Sequence, residues 1–324
     1  MRGRPLRLTA SLLAVAAVTG CSGIASESAG TVTQAPTDAP PQAATRTPTA
    51  GVVSTTSVTP SGSASDSATP EIDSTTTPPA GRADPAAVSR ALEPVRAEFG
   101  SRLAVAWGPV GAPEQVQVVG ATRDIDSWST IKAAIGLAVA QNADGDLSAN
   151  QRDLMTDMLT ISDNDAAKTL WDSLGDPDDR VTKVFRSTGD ATTRAGRDAD
   201  GDPVSFGLTA WQPADAARFA TMLPCADEAD VVLDYLAQVT PEQQWGLGTV
   251  AGSRFKGGWG PSDHGYLARQ VGVIPRADDT WVGVAIAVQP DDGTHESAID
   301  AVDDATRILV SLLGADDSGS CPTG

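Results

Sequence analysis

The segment STIKAAIGLAVAQ, residues 129–141, is the feature that most constrains how this chain can fold. Its apolar side chains fall on nearly every side of a helix instead of along one stripe. Such a helix is stable only when other elements cover all of its faces, so we expect it to lie in the core. Lys132 interrupts the apolar run near its start and is one of only four lysines in the chain. A charged amine at the head of a buried helix therefore requires an explanation.

Residues 1–20 predict a lipoprotein signal peptide. A positively charged start precedes an apolar run over residues 8–18 that is too short to be a membrane anchor. Cys21 follows small residues, as in the bacterial lipobox, where the cysteine is acylated and becomes the new N-terminus. An ordinary secretory signal with a chance cysteine is the alternative. We expect an extracytoplasmic protein held to the bacterial cell membrane by lipid on Cys21.

A long low-complexity segment follows the signal. Residues 21–82 are almost entirely Ser, Thr, Ala, Pro and Gly and show neither a strand period nor a helix period. So little apolar area cannot offset the entropy of ordering the chain. We therefore predict a disordered tether over 21–82 and one folded domain over 83–324.

Charge and cysteine content narrow the possible partners. The net charge of −19 and the absence of basic blocks argue against nucleic acid as a binding partner. Cys225 and Cys321 are the two cysteines that remain after Cys21, and an even pair outside the membrane suggests a disulfide. Two buried free thiols are the alternative. His264 and His295 are the only histidines and no metal-ligand spacing is present, so we predict that the protein binds no metal. We also predict no cofactor, and we expect a monomer.

The hydrophobic periodicity predicts an α+β fold. A helix over 85–100 precedes two strands, RLAVAWG and EQVQVVG, and then the apolar helix. Several further helices and a long loop over 190–208 lead to three strands in close order, SRFKGG, YLARQVGVIP and TWVGVAIAVQP. One helix, ESAIDAVDDATRILVSLL, ends the domain. This order predicts an antiparallel sheet flanked by helices, with a separate helical lobe.

The first chemical motif is Ser129-Thr130-Ile131-Lys132, at the head of the apolar helix. One helical turn separates Ser129 from Lys132, so the hydroxyl and the amine share a face. A buried lysine with a lowered pKa can take the proton of a serine and make it a nucleophile. Ser253 and Lys256 have the same spacing but lie on a predicted strand, where they point to opposite faces. Ser129 is therefore the candidate nucleophile, although a capping serine beside an exposed lysine would give the same pattern.

Two further motifs follow along the chain. Ser162-Asp163-Asn164 lies at a break between two helices, where these residue types also act as helix caps. Lys256-Gly257-Gly258 lies on the first strand of the C-terminal trio. There a cation beside two glycines permits close backbone approach and contact with a carboxylate.

In this order, the three motifs resemble those of the penicillin-recognising serine enzymes. This superfamily includes the serine β-lactamases and the D-alanyl-D-alanine peptidases. The resemblance covers about residues 86–315, and the motif SDN is typical of class A β-lactamases. It implies that Ser129 is acylated, that Lys132 accepts its proton, and that Ser162 relays a proton towards the leaving nitrogen.

The resemblance also implies a set of substrate contacts. Asn164 would bind the substrate amide, and Lys256 would hold the hydroxyl of Ser162 together with the substrate carboxylate. Gly257 and Gly258 would line the same strand. The oxyanion hole would consist of the backbone N–H groups of the nucleophile and of Trp259.

Three features depart from the family pattern. The third motif ends in glycine, at Gly258, where the family usually has threonine or serine, so a hydroxyl contact to the carboxylate is missing. The spacing from Ser129 to Ser162 is short, which implies a reduced helical lobe. Active enzymes with SDN carry a glutamate in a later loop that activates the deacylating water, but this chain has none between Glu114 and Glu228. Aspartates in about the right loop are poor substitutes, namely Asp198, Asp200 and Asp202.

The sequence thus predicts a cell-envelope serine acyl-enzyme that acts on β-lactams or D-Ala-type cell-wall peptides, with slow deacylation. A non-catalytic binding lipoprotein of the same fold is the alternative. A hydrolase triad using His264 with Asp263 or another aspartate is a third reading, although the G-x-S-x-G motif is absent. Three tryptophans either line a substrate groove or pack in the core: Trp128, Trp245 and Trp259.

Overall fold

A computed structural model describes residues 80–322, apart from residues 263, 277 and 278. The predicted signal peptide, the lipid site at Cys21 and nearly all of the predicted tether lie outside the described residues. Those features therefore stay predictions.

A five-stranded antiparallel sheet forms the centre of the described chain. Its spatial order is β2-β1-β5-β4-β3, so the two N-terminal strands and the three C-terminal strands join through the β1–β5 pair. The strands are β1 (Arg102–Pro109), β2 (Gln117–Gly120), β3 (Arg254–Ser262), β4 (Gly265–Pro275) and β5 (Trp281–Gln289). This order confirms the predicted α+β class, and it leaves β3 at one edge.

The helices follow the predicted order with one difference. They are α1 (Pro85–Ala91), α2 (Glu93–Phe99), α3 (Lys132–Asn142), α4 (Ala149–Thr160), α5 (Asn164–Ser173), α6 (Pro177–Ser187), α7 (Pro213–Met222), α8 (Ala229–Leu236) and α9 (His295–Leu312). The single helix predicted over 85–100 is divided at Leu92, because a proline at the start of α2 cannot continue the hydrogen-bond ladder. Within the described part of the chain, no helix is long and apolar enough to span a bilayer.

The two faces of the sheet support separate cores. On one face, Val105 and Ile286 pair across β1 and β5 and pack with α1, α2 and α9. On the other face, the neighbouring pair Ala106 and Ala285 packs with α7 and the helical lobe. The alternation of side chains along each strand assigns successive residues to opposite cores.

Helix α3 lies at the centre of the second core, as its apolar sequence predicts. Every residue from Lys132 to Ala140 is buried, and α4, α5, α6 and α8 pack around it. The methyl groups of Leu159 and Met155 approach within 3.3 Å of where a Cβ of Gly136 would stand, so α4 packs closely there. The enclosure positions the start of α3, and with it Lys132, beneath the sheet edge formed by β3.

The C-terminal tail is pinned to the domain at two places. Cys225 and Cys321 form a disulfide with a Cα–Cα distance of 5.2 Å, which confirms the predicted pairing. The buried carboxylate of Asp317 accepts hydrogen bonds from the backbone of Ala83 (2.7 Å) and from the indole of Trp107 (3.1 Å). The first described residues and the last ones are thereby held together.

Candidate active site

The three sequence motifs meet beneath the edge of the sheet. The Nζ atom of Lys256 lies 2.9 Å from the Oγ of Ser162, and the Nζ of Lys132 lies 3.3 Å from the same oxygen. Lys132 also donates to the backbone carbonyl of Ser162 and to the Oδ1 of Asn164, each at 2.7 Å. Residues from α3, the α4–α5 junction and β3 therefore converge on one hydroxyl, which lies between two amines.

The junction between α4 and α5 presents this hydroxyl. Ser162 has a left-handed backbone with φ of 64°, which reverses the chain at the end of α4. Asp163 then caps α5 by accepting a hydrogen bond from the N–H of Ala166 at 2.7 Å. The N–H of Asp163 bonds back to the carbonyl of Asp157 at 3.0 Å. The capping interpretation of SDN is thus correct for Asp163, and it leaves the side chains of Ser162 and Asn164 free to face Lys132.

The candidate nucleophile lies in a tight turn that leads into α3. Residues Trp128–Ile131 form a 3₁₀ turn in which Ser129 is half-buried and Trp128 has a φ of 45°. The hydroxyl of the preceding Ser127 donates to the carbonyls of Phe206 and Gly207, each at 3.1 Å. The end of the long loop over 190–208 therefore holds this turn in place. Neither contact was predicted, because no local pattern links residues so far apart.

Strand β3 lies directly against the nucleophile turn. A Cβ added to Gly258 would stand 2.7 Å from the backbone nitrogens of both Ser129 and Thr130, which is closer than real Cβ atoms approach. Only glycine fits at this position, because any side chain would push β3 away from the turn. The backbone of β3 and the N–H groups at the start of α3 thus come together, as an oxyanion hole would require.

This contact corrects the prediction that placed the missing hydroxyl at Gly258. That position admits no side chain, because the backbone of Ser129 occupies the space. Residue 257, by contrast, has some room for a side chain, because a Cβ added to Gly257 would lie 3.2 Å from Trp245 and 3.7 Å from Trp259. The hydroxyl that the family pattern carries is therefore missing at Gly257.

Both amines are fully buried, and their environment lowers their basicity. Burial lowers the pKa of Lys132 from 10.5 to about 7, and the charge of Asp163 opposes that shift only in part. Burial, followed by the nearby charge of Lys132, lowers the pKa of Lys256 well below its usual value. An amine with a pKa near neutrality can take up a proton and release it again. The hydrogen bonds of Lys132 run to Ser162 and Asn164, so its proton transfer with Ser129 stays a prediction.

The carboxylate of Asp198 is bound within the long loop itself. The carboxylate of Asp198 accepts hydrogen bonds from the backbone of Asp200 (3.0 Å) and of Asp202 (2.8 Å), and these two residues are exposed. The buried Asp190 accepts the indole N–H of Trp211 at 3.0 Å. These contacts give the carboxylates of Asp190 and Asp198 a structural role.

His264 belongs to a different cluster from Ser129. Its Nδ1 lies 3.1 Å from a carboxylate oxygen of Asp124, at the turn between β3 and β4. The amide of Gln289 also donates to Asp124. Asp263, the partner named in the triad hypothesis, lies outside the described residues. The histidine is thus paired with a carboxylate near the surface, while the two lysines contact Ser162.

The three tryptophans have different surroundings. Trp245 is buried in the core and makes an edge-to-face contact with Trp259 at 6.1 Å between ring centroids. Trp259 is half-buried at the edge strand. The ring of Trp128 lies against Gly260, whose added Cβ would stand 2.3 Å from it. Core packing is therefore correct for Trp245, whereas Trp259 lies on β3 and Trp128 packs against that strand.

Comparison with known proteins identifies the same architecture. The model of the beta-lactamase enzyme family matches residues 147–311. No curated protein matches the chain. The class A beta-lactamase from Mycobacterium abscessus has a TM-score of 0.54 and 20% identity, over 69% of this chain and 98% of that one. The beta-lactamase from Sphaerobacter thermophilus has a TM-score of 0.53 and 19% identity, over 70% and 96% respectively. An ancestral class A beta-lactamase has a TM-score of 0.53 and 21% identity, over 69% and 98%.

Proposed function

Because the chain belongs to the beta-lactamase enzyme family, we propose that it is a serine acyl-enzyme former that opens β-lactam rings. One observation carries this proposal: two buried lysines converge on the hydroxyl of Ser162, directly beside the turn that holds Ser129. Burying two amines is costly, and a function that uses them explains why they are kept there.

In the proposed acylation, Ser129 Oγ attacks the lactam carbonyl while its proton passes to neutral Lys132. The oxyanion that forms is stabilised by the backbone N–H groups of Ser129 and Trp259. The C–N bond then breaks, and Ser162 gives its proton to the leaving nitrogen and regains one from Lys132 or Lys256. Asn164, which already accepts a hydrogen bond from Lys132, would bind the amide of the substrate.

Deacylation is proposed to be the slow step. The chain has no glutamate between Glu114 and Glu228, and the carboxylate of Asp198 is engaged by its own loop. General-base catalysis supplies about 10²–10⁴-fold, so turnover should be lower than in a complete β-lactamase by that order. An acyl-enzyme would therefore accumulate.

The proposed location is the outer face of the cell membrane. Lipid on Cys21 and the Ser/Thr/Pro-rich segment over 21–82 would hold the domain at the membrane and let it reach the cell wall. D-Ala-type cell-wall peptides are then a candidate natural substrate beside β-lactams.

Intact-mass spectrometry after incubation with benzylpenicillin tests the proposal. We expect the mass of one penicilloyl group, mapped to Ser129 and absent in Ser129→Ala. Ser253→Ala is the matched control, because Ser253 has the same spacing to a lysine but lies just before β3. An unchanged mass of the parent protein would favour a binding lipoprotein that keeps only the fold.

A further inference from the structure

The face of β3 turned towards α9 carries a wall of aromatic rings. The wall consists of Trp245, Trp259, Tyr266 and His295. Trp259 lies 6.1 Å from Trp245 and 5.7 Å from His295, and His295 lies 5.0 Å from Tyr266. Burial lowers the pKa of His295, which favours its neutral form, and its buried Nε2 has no partner. The wall is therefore aromatic and uncharged at neutral pH.

This aromatic wall begins beside the candidate nucleophile. Side chains alternate along a strand, so Gly258 faces the turn of Ser129, while Gly257 lies on the same face of β3 as Trp259 of the wall. A substrate that acylates Ser129 along this strand edge would place a neighbouring group beside Gly257. The space there is bounded by Trp245, at 3.2 Å from where a Cβ would stand, and it contains no hydroxyl from residue 257.

The cation nearest to this space is turned inward. The side chain of Lys256 is completely buried, and its amine donates to the hydroxyl of Ser162 at 2.9 Å and to the carbonyl of Gly257 at 3.1 Å. Its pKa is lowered by burial, which disfavours the charged form. The amine is therefore directed inward, away from a group outside the strand.

The arginine at the start of β3 points to other partners. Arg254 donates to the carbonyl of Leu233 at 3.1 Å and pairs with Asp234 at 3.5 Å. Its guanidinium also lies over the ring of Trp281.

The arginine on β4 is turned to the opposite side of the sheet. Arg269 is 2% exposed and donates to the carbonyls of Ile125 and Asp126, at 3.0 and 2.9 Å. Its guanidinium lies over Trp211, which belongs to the core around α3.

Acidic side chains lie on both sides of the site. Asp163 acts electrostatically on Lys132, and Asp165 follows in the first turn of α5. Behind the wall, Asp303 accepts a hydrogen bond from the N–H of Gly246, next to Trp245. Burial and the neighbouring Asp300 and Asp304 raise the pKa of Asp303. Lys256, Arg254 and Arg269 are all engaged elsewhere, so a carboxylate brought into this environment would lack a directed cation and would lie near other carboxylates, which disfavour it.

We propose that this site prefers acyl donors whose group beside β3 is uncharged and aromatic or apolar over donors that carry a free carboxylate there. The inference rests on the proposed function and narrows its substrate class. Apolar area buried against the wall favours such a donor, and a carboxylate would lose its hydration without gaining a partner.

Matched β-lactams test this preference directly. The full-length exported protein is incubated with benzylpenicillin or with its methyl ester, and the acylation of Ser129 is followed by quenched intact-mass measurement. Each rate is divided by the rate at which hydroxide opens the same ring in the same buffer, because the ester is intrinsically more reactive. We expect the normalised rate of the ester to be about tenfold higher or more.

A second variant separates the proposed cause from general reactivity. Gly257→Thr combined with Trp245→Phe places a hydroxyl at residue 257 and gives it room. We expect the ratio of ester to acid to fall about tenfold in this double variant, and to stay unchanged in Trp245→Phe alone. A ratio that does not move in the double variant would contradict the role of Gly257.

The outcomes distinguish the two proposals. A normalised rate for the free acid that equals or exceeds that of the ester would overturn the preference and leave the acyl-enzyme proposal standing. No adduct from either probe, on protein with a folded circular-dichroism spectrum, would overturn the proposed function and this inference with it.

Discussion

At the scale of single residues, the hydroxyl of Ser162 is the meeting point of the site. Lys132 and Lys256 both donate to it, and both are buried where solvent cannot stabilise a charge. Two like charges at this distance disfavour each other, so the pair shares protons through one hydroxyl more readily than it holds two full charges. In the proposed acylation, this gives a chain without a loop glutamate a route for moving protons.

The pKa of Lys132 predicts how acylation depends on pH. The amine must be neutral to accept the proton of Ser129, and below its pKa of about 7 it is mostly protonated. The acylation rate should therefore rise with pH through about 7 and fall about tenfold for each unit below it. Stopped-time intact-mass measurements from pH 5 to 9 would show this profile, with Lys132→Arg inactive throughout.

Asp163→Asn is the matched control for this profile. Asparagine caps a helix as well as aspartate, so α5 should be retained while the negative charge is removed. The charge of Asp163 raises the pKa of Lys132, so its loss should move the midpoint to lower pH. A midpoint that stays in place or rises would mean that Lys132 does not control the rate.

At the scale of elements, the contact between β3 and the turn before α3 assembles the site. The strand comes close enough only because residue 258 lacks a side chain. Gly260 accommodates the ring of Trp128 in the same way, two residues further along the same face. The distance from strand to turn thus depends on these two glycines.

Substitutions at neighbouring glycines of β3 should have very different effects. Gly258→Ala places a methyl 2.7 Å from the nitrogens of Ser129 and Thr130, so it should reduce acylation by at least the ~10²–10³-fold typical of losing an oxyanion-hole donor. Gly257→Ala meets the rings of Trp245, at 3.2 Å, and of Trp259, at 3.7 Å, and no backbone atom of the turn, so it should retain most of the activity. Equal acylation rates in the two variants would show that the contact with the turn is not needed.

At the scale of the whole molecule, the tail is closed onto the body by covalent and polar contacts. The disulfide joins residues 96 apart, and the backbone of Gly319 pairs with Trp281 on β5. The carboxylate of Asp317 accepts hydrogen bonds from the backbone N–H groups of Ala83 and Gly314. The tail is therefore held against β5 and against Ala83, the point where the predicted tether meets the domain.

Removing the disulfide should lower the free energy of unfolding substantially. A closed loop of this length contributes roughly 4–5 kcal/mol through the entropy of the unfolded chain. Cys225→Ser with Cys321→Ser should lower the urea midpoint by an amount of that order, while acylation at low temperature persists. A non-reduced peptide map of the parent should contain the joined pair, and two free thiols would contradict it.

The lipid anchor is a separate prediction about the whole molecule. Cys21→Ala should move the protein from the membrane fraction to the soluble fraction, because it removes the predicted site of the acyl chains that would hold the protein to the membrane. Ser22→Ala, which leaves the cysteine in place, is the control. If Cys21→Ala partitions as the parent does, the protein is held by something other than lipid at that residue.

The sequence by itself determined the elements, their order and the residues of the three motifs. An all-round apolar segment can be stable only inside a core, alternating segments form strands, and a charge inside the apolar segment marks a site. These are local properties, so α3, the five strands and the convergence of Lys132, Ser162 and Lys256 could be predicted from their patterns and from the resemblance that the motifs carry.

Only the tertiary structure decided which surfaces those motif residues meet. Three features join segments far apart in the chain. They are the contact of Gly258 with Ser129, the hydrogen bond that Ser127 donates to the carbonyl of Phe206, and the aromatic wall beside Gly257. Each depends on distances between packed segments that are set to within a few tenths of an ångström, and no local pattern encodes such distances. For that reason the missing hydroxyl was predicted at residue 258, and the packing of β3 against the turn assigns it to residue 257 instead.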